Sequence, residues 1–386
     1  MCDLCEKTKG DIIVSNKVYF ITGVTGDLGS ELLAYIAEDK MNEIYCLIRA
    51  KDNQSYHERL NGIMAAMGIE NQGNIIAVEG DLCTERLGLM EEQYDNLTQR
   101  VTHILHCAAD VRFNQPIEQM RLVNVAGTDR ILQFAKLCQA RTPGFCQFSY
   151  VGTTYVAGCT NGLVTENDLT DKYGFNNSYE QSKYEAECLV RSEMEKGLPV
   201  IIFRPSVILG ASGNGMFKKT SVLYPLIILY NKLFPSIVLP ISDNVKLDIV
   251  SIDYVTKSIL YISSDPKNLN QCFQLAAGPG KSIDVDKQFT RIIIEELQIK
   301  DVQFLPLFLW KILFPFWKLF NQPLYKRICK LRKMNELGGY RSYVVKKNPQ
   351  FSIETTEKAL KGSKIVVPDP VEFLRACVRY AKLNYL

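Results

Sequence analysis

The stretch Lys17–Leu33, KVYFITGVTGDLGSELL, constrains this chain more than any other. Val18–Ile21 is a short apolar run suited to the middle of a parallel sheet. Gly23, Gly26 and Gly29 follow at three-residue spacing, and Leu28, Leu32 and Leu33 open an apolar helical face. Glycines let the backbone turn sharply and approach a pyrophosphate, and the helix N-terminus then offers unpaired N–H groups and a positive dipole end. The spacing is G-x-x-G-x-x-G rather than the commoner G-x-G-x-x-G, and a plain strand–turn–helix is the simpler alternative. The position between a buried strand and an amphipathic helix favours a nucleotide cradle built from Gly23, Thr25, Gly26, Asp27, Leu28 and Gly29.

Further strand–helix units should follow if that reading holds, and they do. Glu43–Ile48 reads as a second strand with Arg49 at its end, where an acidic residue suits a free ribose 2′-hydroxyl and an arginine a 2′-phosphate. A solvated arginine is the bland alternative; the reading favoured here is NADPH, with Lys51 as a second candidate cation. A helix from Asn53 to Met67 leads to a third strand, Asn74–Val78, and then to Asp81 and Leu82. Asp81 either caps the next segment or bonds the adenine amino group. The fourth strand, Val101–His106, runs into Cys107, Ala108, Ala109 and Asp110, small enough at 107–109 for a flat cofactor to lie close. His106 reads as a hydrogen-bonded core histidine rather than a catalytic one.

A long helix from Pro116 to Ala140 carries Asn124 on its apolar face, either satisfied locally or holding a water near the site. A fifth strand, Phe145–Val151, ends in Gly152, Thr153 and Thr154, and a helix then opens at Ser178 and continues to Glu195. Tyr179 and Lys183 lie four apart on it, on one face, so a phenol and an ammonium can share a pocket. A nearby cation would draw the phenol toward working pH. An isolated Y-x-x-x-K is usually a surface pair; its place after four βα units and a strand ending in Thr153 makes it catalytic. Val200–Phe203 is a sixth strand, beyond which the alternation fades into Leu247–Val250, a helix over Asp253–Ile262, a strand near Cys272–Leu275 and a helix over Val285–Leu297. The expected organisation is a tail over 1–16, a doubly wound parallel α/β core over 17–210, and a smaller substrate-binding region over 211–386, with the strand near 271–275 a candidate to return to the core sheet.

Composition narrows the class. The chain has 386 residues, 47% hydrophobic and 23% charged, with a net charge of +3, so nothing global suggests a nucleic-acid partner. The twelve cysteines hold one close pair, Cys2 and Cys5, and only three histidines accompany them; no metal site is expected, and free thiols in a reducing cytoplasm are the simplest reading. The N-terminus lacks the apolar core of a signal peptide, and Cys2 in place of glycine gives no myristoylation signal. Val302–Phe320 is aromatic-rich but broken by Pro306, Lys311, Pro315 and Lys318; Val222–Leu239 is broken by Pro225, Lys232 and Pro235, so neither spans a membrane. Tyr325–Lys347 then holds eight Lys/Arg against Glu336 alone. Segment 302–347 reads either as a solvated basic face or as a peripheral membrane anchor or lid over a long acyl chain.

Taken together, ITGVTGDLGSELL, YCLIRA, EGDLCTERLGL, HILHCAADVRF, NVAGT, YVGTTYVAG, SYEQSKYEAECLV and FRPSVILG resemble the extended short-chain dehydrogenase/reductases, and among them the thioester reductase branch, which holds fatty acyl-CoA reductases and the terminal reductase domains of carboxylic acid reductases and nonribosomal peptide synthetases. The resemblance implies a Rossmann-type sheet, with Tyr179 as acid, Lys183 as its partner and ribose anchor, Thr153 as the hydroxyl that binds the substrate oxygen, and Asn124 as the structural or relay asparagine. Many relatives have Ser-Thr where this chain has Gly152-Thr153; a register one residue along would make Thr154 the catalytic hydroxyl. The implied reaction is NADPH-dependent reduction of an acyl thioester to aldehyde or alcohol. With no acyl-activating or carrier segment in the sequence, the thioester is expected on CoA or on a separate acyl-carrier protein. The rivals are another reaction of the extended family, such as sugar-nucleotide epimerisation or alcohol/steroid oxidation, and a non-catalytic NADP-binding sensor or scaffold.

Overall fold

The computed structural model describes residues 17–218 except 52, then 245–299 and 348–386, together with 224, 227, 237–241, 302–306, 312 and 343. The tail over 1–16, most of 222–239 and nearly all of the 302–347 segment lie outside the described residues. Seven parallel strands form one sheet: β1 Val18–Thr22, β2 Glu43–Ile48, β3 Ile75–Glu79, β4 His103–His106, β5 Gln147–Val151, β6 Val200–Pro205 and β7 Gln271–Leu275. Their spatial order is β7-β6-β5-β4-β1-β2-β3. The chain therefore builds outward from β1 in one direction, then returns and builds the other way from β4. The crevice at the C-terminal ends of β1 and β4 is the topological switch point where such sheets take ligands.

Helices cover both faces, which is why the strands read as apolar runs rather than alternating ones. On one side, α1 Asp27–Ile36 and α2 Tyr56–Met67 pack Leu32, Leu33, Leu60 and Met64 on the sheet. On the other, α3 Glu91–Thr98, α5 Ala126–Arg141 and α6 Ser178–Glu195 contribute Leu97, Ile131, Phe134 and Val190. The α2 helix begins at Tyr56 rather than Asn53 because Ser55 and Glu58 form a reciprocal capping box.

The long helix expected over 116–140 is interrupted. A short α4, Ile117–Met120, passes into a π-helical turn, Arg121–Val125, before α5 begins. The wider turn is a local insertion in the helical ladder, and it holds Asn124 where its side chain bonds Asp110 and Ser182. The strand expected over 247–250 is divided at Asp248: Lys246–Leu247 pairs antiparallel with Ile283–Asp284, and Ile249–Val250 pairs parallel with Val207–Ile208. The buried Asp248 carboxylate takes Ser206 Oγ at 2.5 Å and the amides of Ala277 and Gly278 at 2.8 and 3.0 Å. Burial raises its pKa to about 6 against the opposing pull of those donors. Behind it, α7 Ile252–Ser263 packs on α1, while α8 Thr290–Leu297 and, after α9 Glu354–Ala359, the C-terminal α10 Pro370–Asn384 build a second core around Phe373, Leu374, Ile293 and Phe217.

One buried ionic cluster joins α6 to β6. Arg204, fully buried, donates to Glu187 through Nε and Nη2 at 2.7–3.1 Å and to the Asp168 carbonyl at 3.1 Å. Glu187, also fully buried, accepts a further bond from Arg191 Nε at 2.8 Å. Removing one side of a buried pair leaves a charge without water or counter-ion, which costs more than the intact pair contributes. Glu187→Leu strands Arg204 and should lower the unfolding free energy by about 3–5 kcal/mol. Arg204→Met leaves Glu187 paired with Arg191 and should cost distinctly less. Urea denaturation of both variants checks the asymmetry, and equal losses would contradict it.

Candidate active site

A pocket of about 610 Å³ opens at the switch point, lined by the glycine loop, the ends of β2 to β5, the start of α6 and the first residues beyond β6. Gly23 turns the chain with φ +82°, and a Cβ there would lie 2.5 Å from the Ala108 nitrogen. Only glycine permits β1 and β4 to end so close together. Thr22 and His106 secure the same junction: Thr22 Oγ1 is 2.7 Å from His106 Nδ1, and it accepts from the Ala108 amide at 3.3 Å. His106 Nε2 is held by Thr128 at 3.2 Å, and burial pushes the ring's pKa down to about 3. This histidine is a neutral structural linker, and it does not line the pocket.

Gly23, Thr25, Gly26, Asp27, Leu28, Gly29, Arg49, Asp81, Leu82, Ala108, Ala109 and Lys183 all line the pocket. The glycine loop meets the first turn of α1, whose N-cap is Gly26 and whose opening Asp27 carboxylate is paired with Lys218 at 3.4 Å. Asp81 both caps and pairs: its Oδ1 accepts from the Cys83 amide at 2.9 Å, and its Oδ2 meets Arg49 at 3.4 Å. The structure adds a cation that sequence reasoning missed. Arg59, on the second turn of α2, lines the pocket and donates to the Arg49 carbonyl at 2.5 Å. A basic residue one turn into the helix that follows β2 was the available signal. Lys51 does not line the pocket.

At the centre, Thr153, Tyr179 and Lys183 come together, while Asn124 and Thr154 stay out of the pocket. Asn124 is buried and fully engaged: it accepts from the Asp110 amide at 2.7 Å and donates to the Asp110 carbonyl and Ser182 Oγ, both at 2.9 Å. It ties the segment after β4 to α6. Thr154 is fully buried with an unpartnered hydroxyl, whereas Thr153 accepts from the Tyr155 amide at 3.3 Å and hydrogen-bonds the Tyr179 side chain. Of the two threonines, Thr153 is the one facing the phenol. Gly152 keeps this corner tight: a Cβ there would lie 3.2 Å from Tyr150 Cε1 and 3.4 Å from Glu187 Oε2.

The electrostatics differ from the sequence expectation. Lys183 does not depress the Tyr179 phenol; burial pushes that phenol up to about 12, opposed by the bond from Thr153. The reason is where the ammonium goes. Lys183 Nζ donates to the Val151 carbonyl at 2.9 Å and sits 4.4 Å from the centroid of the Tyr150 ring. Desolvation lowers its own pKa to about 8, with Glu187 pulling the other way. The ring face and carbonyl hold a cation where there is little water. The site thus presents a protonated phenol and an adjacent threonine hydroxyl at neutral pH. Among the described residues no His/Cys/Asp/Glu cluster could hold a metal, the described cysteines are free, and no helix is long and apolar enough to cross a membrane.

Comparison with known proteins bears on the family and the fold. Residues 21–259 match the family described as Male sterility protein. A non-canonical nonribosomal peptide synthetase, FrzA of Cladobotryum sp, is 28% identical over 305 residues, covering 76% of this chain and 28% of its own length. The L-2-aminoadipate reductase of Saccharomyces cerevisiae is 30% identical over 272 residues, covering 65% of this chain and 19% of its own. This chain therefore spans under a third of the length of these curated relatives. Among solved structures, the terminal R domain from the myxalamid PKS-NRPS biosynthetic pathway superposes with a TM-score of 0.79 at 25% identity, covering 97% of this chain and 93% of that one. The match over residues 21–259, more than half of the sequence, shows that the chain belongs to the Male sterility protein family.

Proposed function

We propose that this chain uses NADPH to reduce an acyl thioester to an aldehyde or alcohol. The observation that carries the reading is that the hydroxyls of Thr153 and Tyr179 come together inside the pocket that Lys183 also lines. The residues fit a dinucleotide. The Gly23 turn leaves room at the backbone that a Cβ would fill, Ala108 and Ala109 offer a flat wall, and Arg49 with Arg59 supplies two guanidinium groups at the ribose end. Bound there, the dihydronicotinamide would supply hydride to the thioester carbonyl.

The chain's own groups handle the oxygen. Thr153 and Tyr179 donate to the carbonyl oxygen, and their donation strengthens as negative charge develops there. Tyr179, kept protonated by burial, passes its proton to that oxygen, and the resulting thiohemiacetal then breaks its C–S bond, its hydroxyl proton going to the sulfur as the carrier thiol leaves and the aldehyde forms. Lys183, held on the Val151 carbonyl and the Tyr150 ring, keeps a positive charge in the same pocket for the ribose. Relatives named as peptide synthetases and a terminal R domain from a PKS-NRPS pathway support delivery of the thioester on a carrier protein, with acyl-CoA as the other carrier of the same chemistry. The roles assigned are Tyr179 as acid, Thr153 as oxyanion partner, Lys183 as ribose anchor and Asn124 as a positioning residue.

Tyr179→Phe should lower kcat/KM for a thioester by about 10²–10⁴-fold with NADPH affinity little changed, measured from absorbance at 340 nm. Retained turnover would remove the phenol from the mechanism. Arg49→Ala and Arg59→Ala should each weaken NADPH binding about tenfold or more while leaving NADH nearly unaffected, as read by ligand fluorescence. Equal losses for both nucleotides would overturn the 2′-phosphate assignment. Lys183 sets a pH dependence. Its pKa in the free enzyme, about 8, predicts that kcat/KM falls as pH rises through that value, and Lys183→Arg should remove this limb. The same shift has a stability counterpart. A lysine whose folded value lies below its ordinary one contributes full stability only above the ordinary value, and loses it as pH falls through about 8.

A further inference from the structure

The part of the pocket beside Tyr179 is built from aromatic rings. Phe113 packs against Tyr179 with centroids 5.5 Å apart and against Tyr343 at 5.6 Å, and Tyr343 meets Tyr155 edge-on at 4.8 Å. All four residues line the pocket, and Leu247 and Phe289 continue the wall. The charged side chains that line the pocket among the described residues, Asp27, Arg49, Arg59, Asp81 and Lys183, come from the glycine loop, the region of β2 and β3 or the Lys183 corner; none belongs to this wall.

Tyr343 is anchored firmly. Its hydroxyl donates to the buried Glu180 carboxylate at 2.6 Å and accepts from Asn177 Nδ2 at 2.9 Å. Asn177 is the N-cap of α6, and Glu180 sits in the first turn of that helix, next to Tyr179. A ring distant in sequence is therefore attached to the same helical turn that aims the catalytic phenol. Turning Tyr343 aside would take a donor from a buried carboxylate. An acyl carbonyl within reach of Thr153 and Tyr179 must lay its α-carbon against these rings. A charged substituent there would lose its water and meet no counter-charge on the wall among the described residues, and the Tyr343 ring takes up room that a long straight chain would need.

We infer that the acyl group reduced at this site is compact and apolar, aryl or branched alkyl, and that Tyr343 sets its length. This rests on the thioester-reductase reading of the same pocket. The test offers the purified chain NADPH with phenylacetyl, hexadecanoyl and glycyl thioesters, each as the CoA and the N-acetylcysteamine derivative. Phenylacetyl should exceed the other two in kcat/KM by about tenfold or more. Tyr343→Ala should raise the hexadecanoyl-to-phenylacetyl ratio about tenfold, whereas Tyr343→Phe, which keeps the ring, should preserve the wild-type order. Thermal unfolding of both variants reports whether each is folded, and Tyr343→Phe with the wild-type substrate series decides the matter if the alanine variant is not. Preference for hexadecanoyl or glycyl, or a reversed order in Tyr343→Phe, overturns the inference while leaving thioester reduction intact. No NADPH oxidation with any of these thioesters, nor with the same acyl groups loaded on a carrier protein, overturns both.

Discussion

The close approach of β1 to β4 is the constraint on which the rest depends. Those strands are neighbours in the sheet but distant in the chain, and their C-terminal ends open the ligand crevice. Gly23 makes the approach possible because no side chain stands between it and the Ala108 backbone. The buried Thr22–His106–Thr128 chain of hydrogen bonds then holds the junction in register. A histidine in this place looks catalytic by residue type alone, yet its desolvated, doubly bonded ring is suited to bracing the wall of the pocket rather than exchanging protons with it.

The α6 helix joins chemistry to stability. On one turn it presents Tyr179 and, four residues later, Lys183; four residues further on it plants Glu187 against Arg204. The buried Glu187–Arg204 pair fixes the helix to β6, and the same carboxylate stabilises the Lys183 ammonium at longer range. Lys183 would be costly to bury alone. The Tyr150 ring and the Val151 carbonyl hold it, and both belong to β5, whose end supplies Thr153 two residues later. Strand and helix thus position each other's functional groups through interactions that a dry interior strengthens.

The pocket divides by chemistry. Its glycine loop, paired arginines and small residues after β4 suit an anionic, flat cofactor, whereas the rings of Phe113, Tyr155 and Tyr343 suit an apolar group. The second region adds to this division through short contacts. Asp248 gathers Ser206 and the amides after β7, and Val207–Ile208 pairs with Ile249–Val250, so the residues beyond β6 are held over the crevice.

Much of this was legible in the chain itself. Apolar runs of strand length, glycines after the first of them, and the four-residue spacing of Tyr179 and Lys183 are local signals, and local steric and helical geometry makes them reliable. The α/β order, the glycine cradle, Arg49 at the end of β2 and Thr153 at the end of β5 follow from such signals. Other features depend on what the tertiary structure brings together. No local pattern sends Lys183 to the face of Tyr150 instead of toward the phenol, because that choice is made by desolvation and by the carbonyl of a neighbouring strand. Arg59 joins Arg49 only when α2 folds back along β2, and Tyr343 reaches Glu180 across 163 residues. The π-helical turn at Asn124 likewise arises from bonds to Asp110 and Ser182 on other elements. Order of elements and the types of group at each strand end were legible in the chain because they rest on short-range geometry; their partners, their protonation and the shape of the pocket came from the tertiary fold, because burial and long-range contact set all three.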